Sequence, residues 1–194
     1  MLTAVIWLAL PAALIFFWAI GAYNRLVRLR SAVVRAYATL DDALVRQLVW
    51  MRGTLPESVL DAEGTQPADL ESQAMMAWWR LQASSEQFTA TLNQVRAQPI
   101  DVPAMASLVM AHEAMRAAWS RVLADALEAD AVPSPERLNA RWLRLLHQSL
   151  PLRAAFNEAA LAYNHAIAQF PASLIARLAG FRPAGTVSRL AEGR

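Results

Sequence analysis

His112 and Glu113 stand together in AHEAMR, which begins like a zinc-protease helix motif. That motif needs a second histidine four residues on, one helical turn away on the same face, and Arg116 holds that place. His147 and His165 are far apart in sequence and have no acidic companion at ligand spacing. Two acid pairs remain, Asp41-Asp42 and Glu128 with Asp130. A catalytic dyad requires burial to separate two pKa values, and these pairs are expected on solvated helix faces. The chain has no cysteine, which removes disulfides, thiolate metal sites, thiol nucleophiles and an N-terminal lipidated Cys. It has no glycine-rich phosphate loop. These residues predict no catalytic site, no metal and no cofactor.

The elements around them are helical. More than half of the 194 residues are apolar, Gly is sparse, and no stretch alternates Val, Ile or Thr with a period of two. The fold class expected is all-α. All 18 basic residues are arginine, yet the formal charge is only +2. The arginines gather behind the first apolar segment instead of forming an aromatic-interleaved basic face, so nucleic acid is not an expected partner.

Leu2 to Ala22 carries no charged residue, enough apolar length for a bilayer-spanning helix. Trp7, Trp18 and Tyr23 suit the interfaces, and Pro11 is tolerated in mid-span. A cleaved signal peptide is the competing reading. It wants a positive n-region and a shorter apolar core, and nothing basic precedes Arg25. With Arg25, Arg28, Arg30 and Arg35 directly after the span, the positive-inside rule puts the N-terminus outside and the remainder in the cytoplasm, at a bacterial inner membrane.

The membrane helix is expected to continue as the first bundle helix. Leu26, Leu29, Val33, Leu40, Leu44, Leu48 and Met51 recur in three- and four-residue steps, and Gly53-Thr54-Leu55-Pro56 ends the run. A loop follows, with one helical turn expected at 57–62. A second helix is expected from Pro67 or Ala68 to Gln98, with Leu70, Met75, Trp78, Trp79, Leu81, Phe88, Leu92 and Val95 as core candidates. Trp78 and Trp79 cannot share one face, so one is core and the other is open to a partner. A third helix enters through Asp101-Val102-Pro103 and runs to Asp130. A fourth opens with Ser134 as N-cap and Pro135 at the first helical position, and runs to Gln169 through Pro151, which should kink it.

Short connections make these four antiparallel neighbours, and the fourth helix returns to the membrane. There Phe170-Pro171 breaks the chain, Leu174, Ile175 and Leu178 form the face of a short helix, and Gly180 suits a left-handed C-terminal position. Flanked by Arg177, Arg182 and Arg189, this helix either caps the core or lies in lipid headgroups. The expected organisation is a transmembrane anchor over 1–23, an elongated antiparallel four-helix bundle with a short C-terminal helix over 24–183, and a flexible tail over 184–194.

The two ends also carry a resemblance. GAYNRLVRLRSAVVRAYATLDDALVRQ, residues 21 to 47, and the spaced series Phe156-Asn157, Tyr163-Asn164, Phe170-Pro171, Ile175-Ala176 and Gly180-Phe181 resemble the start and the closing motif of the LemA family. The match covers roughly the first and last quarters. The middle departs: the family's Lys-Arg-Arg and Leu-Ile-Pro-Asn-Leu stretch is reduced to Arg46-Gln47 and unrelated residues. The resemblance implies a membrane-tethered helical bundle without enzymatic activity, with Tyr23-Asn24 and the closing series as its motif residues. It also implies a membrane protein partner, either a TPM-domain protein or a membrane protease. Some relatives carry a lipoprotein Cys where this chain has Ala22, which implies the opposite side of the membrane. The seven-residue spacing lines Phe156, Tyr163 and Phe170 on one stripe, to pack against the first helix, and lines Asn157 and Asn164 on another, to fix helix register. Membrane lipid is the expected surface for Arg25, Arg28, Arg177 and Arg182, and a homo-oligomer through helix faces is a further expected partner.

Overall fold

The computed structural model describes residues 2–56, 59, 73–129 and 135–187, with side chains from Ala13 in the first helix, from Met75 in the second and as far as Asp125 in the third. All regular elements among these residues are helices: α1 (Leu2–Arg52), α2 (Gln73–Ala97), α3 (Val102–Ala129), α4 (Pro135–Ala168) and α5 (Ala172–Leu178). The turn expected at 57–62, the start of the second helix at Pro67 or Ala68, Leu70, Asp130 and the Ser134 cap lie outside the described residues, as does the side chain of Glu128.

α1 is a single helix of 51 residues, roughly 77 Å long at 1.5 Å per residue. Its two halves differ. From Leu26 on, the expected stripe is buried: Leu26, Val33, Leu40, Leu44, Leu48 and Met51 all face the core. Before it, Leu14, Ile15, Phe16, Phe17 and Ile20 are exposed apolar residues. Among the described residues, the apolar side chains at 14–17 are open, and only from Trp18 on does α1 face the C-terminal segment. Among the described residues no helix is long and apolar enough to cross a membrane. The expected span, Leu2–Ala22, has side chains described only from Ala13 on.

The four long helices form a ring. α2 packs most extensively on α3 and α1 on α4, while α1–α2 and α3–α4 contacts close the circuit. The α2–α3 link is a tight turn in which the Asp101 N–H donates to the Gln98 carbonyl (3.1 Å), with Pro99 at the second position of the turn. Asp101 then caps α3, its Oδ2 accepting from the Ala104 N–H at 2.9 Å. α4 continues through Pro151 without interruption.

The core is graded along its length. At the end far from the apolar half of α1, Trp50, Trp119 and Trp142 from three helices make one aromatic cluster, Trp50 lying stacked on Trp142 at 6.0 Å. In the middle is a polar knot. His112 Nε2–H donates to Gln47 Oε1 (2.9 Å), Gln47 Nε2 donates to the Leu145 carbonyl (3.1 Å), and Phe88 lies 5.3 Å from the imidazole. All four helices contribute to it. Burial, with the charges of Arg153 and Arg116 behind it, pushes His112 down to about 3, so the ring is neutral. Arg153 is itself buried, which lowers its guanidinium to about 10.

Asp41 corrects an expectation. It is not on a solvated face but buried, held by Arg96 of α2 through Nε (2.9 Å) and Nη2 (2.8 Å) to Oδ2, with the Tyr37 hydroxyl beside it. Asp42 is exposed. Adjacent helical residues point about 100° apart, so one of the pair faces α2 and the other water.

Candidate functional site

The residues of the spaced closing series and of the first helix meet at one end of the bundle. A small core forms there from Leu26, Ala166 and Ala176, with Leu29, Ile167 and Phe181 against it. Phe181 joins the two ends of the chain: its ring meets Tyr23 edge-on at 5.8 Å and Tyr163 at 6.5 Å. It reaches that place because α5 ends in a Schellman motif. Gly180 takes φ +71°, its N–H donates to Arg177 O, and the Phe181 N–H returns to Ala176 O at 2.9 Å.

From Phe181 the chain continues as an extended strap along α4, and residues of the closing series hold it by its backbone. The Tyr163 hydroxyl donates to the Arg182 carbonyl (2.9 Å). Asn164 donates through Nδ2 to the Ala184 carbonyl (2.8 Å) and accepts from the Ala184 N–H (2.7 Å). Asn157 Oδ1 accepts from the Val187 N–H at 2.8 Å. On the other side the Gly185 N–H reaches the Ile100 carbonyl in the α2–α3 turn (3.2 Å). Ala184 and Val187 are buried in the main core. Residues 184–187, expected in a flexible tail, are therefore fixed parts of the fold; residues 188–194 lie outside the described ones.

The asparagines thus do a different task from the one expected. They do not set helix register through an interior contact. A primary amide offers one donor and one acceptor, matching one peptide unit, and two turns of α4 space Asn157 and Asn164 to grip a strand-like segment. The aromatic stripe also divides. Phe156 is buried, 6.0 Å from Tyr37 of α1, and Tyr163 is buried, which pushes its phenol up. Phe170 does not join the core: it is 80 % exposed. Asn24 is exposed beside Arg25 and Arg28.

α5 is built small side inward. Ala176 packs on Leu26 and Ala166, while Leu174 and Leu178 are exposed. Leu174 and Leu178, one helical turn apart, and Phe170 just before α5 are the exposed large apolar side chains of this segment, with the exposed Arg177 and Arg182 near them in sequence. Phe170 stands beside the apolar end of α1. A cavity of about 350 Å³ there is lined by Trp18, Gly21, Ala22 and Arg25 from α1 and by Phe170 and Pro171.

His147 and His165 are both exposed, and among the described residues no group of three or more His, Asp or Glu side chains is placed to hold a metal ion. The strap, the Gln47–His112 knot and the Asp41–Arg96 pair were not foreseen. The knot left one signal, polar residues falling on otherwise apolar helix stripes. No family model matches the chain, and it matches neither a curated protein nor a solved structure.

Proposed function

We propose that the chain is a membrane-anchored, non-enzymatic helical scaffold of the LemA type, whose bundle is presented at the membrane surface by a helix continuous with its anchor. One observation carries this reading. α1 is unbroken from an end whose described apolar side chains, at 14–17, are exposed into the bundle core, and the Tyr23–Phe181–Tyr163 contact joins the two quarters of the sequence in which the resemblance lies. An exposed apolar helix of this kind is a partner or lipid surface by default. The arginines at 25, 28, 30 and 35 favour an inner-membrane placement with the bundle in the cytoplasm. The partners of this reading are lipid, a second copy of the chain, and a membrane protein of the TPM-domain or membrane-protease kind.

The test uses the absence of cysteine. One Cys is placed at Ser134 and, separately, at Ser188, and intact cells are treated with a membrane-impermeant maleimide. Sedimentation with membranes after alkaline washing, with labelling only after lysis, is the expected result. A washed-off protein removes the anchor. Labelling after permeabilising the outer membrane alone places the bundle on the other side.

A second reading, a lipid-surface-binding or membrane-shaping protein acting through the C-terminal segment, is favoured by the exposed Phe170, Leu174 and Leu178, the first of them beside the end of the apolar run. The two readings are compatible.

A further inference from the structure

A trench runs along the outer face of α1, from Tyr23 to the α2–α3 turn. It consists of two cavities. One, of about 570 Å³, lies over Tyr23, Val27 and Arg35. The other, of about 590 Å³, reaches Ile100, Val102 and Arg182. They share Arg30, Val34 and Phe181 and so adjoin. The floor is apolar, with Val27, Val34 and Val102 all exposed. The charges are cationic: Arg30, Arg35 and Arg182, each exposed. Among the described residues the one acid in the lining, Asp101, is already engaged in capping α3.

An apolar floor with arginines in its lining suits a ligand with an anionic head and a hydrocarbon body. Guanidinium groups bind phosphate in bidentate fashion, and valine and aromatic surface gives a bare phosphate nothing. The trench also reaches Tyr23, two residues before Arg25, the first charged residue of α1. We propose that it is a binding site for an anionic phospholipid from the membrane that α1 enters. The phosphate sits at Arg30 and Arg182, which line the same cavity, and the glycerol and first methylenes lie over Val34, Val27 and Tyr23. Arg30 stands about 12 Å beyond Ala22 along the helix, so the site holds a lipid partly drawn out of its leaflet. That separates it from general attraction of arginines to a charged surface. The proposal rests on the membrane-anchored reading above.

The test uses the full chain in vesicles of equal parts phosphatidylcholine and phosphatidylglycerol. After mild detergent extraction, retained lipid is read by native mass spectrometry. Phosphatidylglycerol should be retained over phosphatidylcholine by about tenfold, equivalent to about 1.4 kcal/mol. Arg30→Gln combined with Arg182→Gln should remove the preference. Val34→Trp is the decisive variant, because it fills the trench at an exposed position and keeps every charge. It should lose the bound lipid while an unchanged thermal melt shows the bundle intact. Equal retention by Val34→Trp, or no preference in the native chain that resists alkaline washing, overturns the trench and leaves the anchor standing. A chain that washes off the vesicles overturns the anchor, and the membrane source of the lipid with it.

Discussion

Asn164 forms a closed pair with Ala184, its side-chain amide donating at 2.8 Å and accepting at 2.7 Å, as one peptide unit does with another in a sheet. With Asn157 on Val187 and Tyr163 on Arg182, it fastens an extended segment to a helix without using that segment's side chains. The strap in turn holds Phe181 against Tyr23. What looks from sequence like a helix-register motif is a latch between the C-terminus and the root of α1.

Asn164→Ala should open that latch. Two backbone groups of Ala184 would lose their partners, and a net loss of about 1–3 kcal/mol is expected for such a change. The readout is local. Val187 is fully buried, so a Cys placed there in the otherwise Cys-free chain should resist a maleimide. With Asn164→Ala its labelling should accelerate by about fivefold to a hundredfold, at about 1.4 kcal/mol of easier opening for each factor of ten. Unchanged protection would mean that burial of Ala184 and Val187 alone holds the strap.

Two glycines should respond differently to alanine. At Gly180 an added Cβ meets nothing within 4 Å, so the cost is that of the left-handed backbone at φ +71°, about 1–2 kcal/mol. At Gly185 the Cβ would stand 2.8 Å from Met105 Cβ and 3.2 Å from Val102 Cα. Neither atom can rotate away, so Gly185→Ala must push the strap off α3. Urea midpoints should fall for both variants, but only Gly185→Ala should also expose a Cys at Val187 to the extent that Asn164→Ala does. Protection retained in Gly185→Ala would show that α3 shifts instead.

The periodic apolar stripes of α1 and α2 were legible because burial along a helix recurs every three to four residues. Phe156 and Tyr163 could be placed for the same reason. The polar interior was not legible. Gln47 falls on the apolar stripe, three residues after Leu44 and four before Met51, but the sequence names no partner for it, and His112 gains its meaning from Gln47, 65 positions earlier in the chain. Asp41 is buried only because Arg96, 55 positions away, is there to receive it. The asparagine spacing was visible, but not its target. A strand-like strap of Arg, Pro, Ala and Gly carries no periodicity and looks like a tail.

His112 makes stability depend on pH. The free imidazole takes a proton near 6.5, whereas burial holds the native ring down to about 3. Between those values the unfolded chain binds a proton that the native chain does not. The contribution is therefore fully present above about 6.5 and is lost as pH falls toward about 3, with a slope of up to about 1.4 kcal/mol per pH unit. Urea unfolding of the native chain and of His112→Gln at several pH values should show the variant less sensitive across this window. Parallel curves would mean that the carboxylates, not His112, set the acid limit.

Phe170 and Leu178 should touch lipid. They are 80 % and 85 % exposed, and Leu174, one turn before Leu178 on α5, is exposed as well. A fold that needed large side chains for packing at this end would turn them toward Leu26, and it uses Ala176 instead. Arg177 and Arg182 lie near these residues in sequence, as cations do on helices that lie in a headgroup layer. A single Leu178→Cys substitution, carrying an environment-sensitive dye, should be quenched by nitroxide-labelled lipid when the full chain is in vesicles. The same dye at Val49, also exposed and roughly 40 Å beyond Ala22 along α1, should not be. Adding Phe170→Ser should weaken quenching of the dye on α5 by shallowing the insertion of this segment. Equal quenching at the two dye sites would show that the segment faces water or another protein, and the scaffold reading would then stand without a lipid-facing surface.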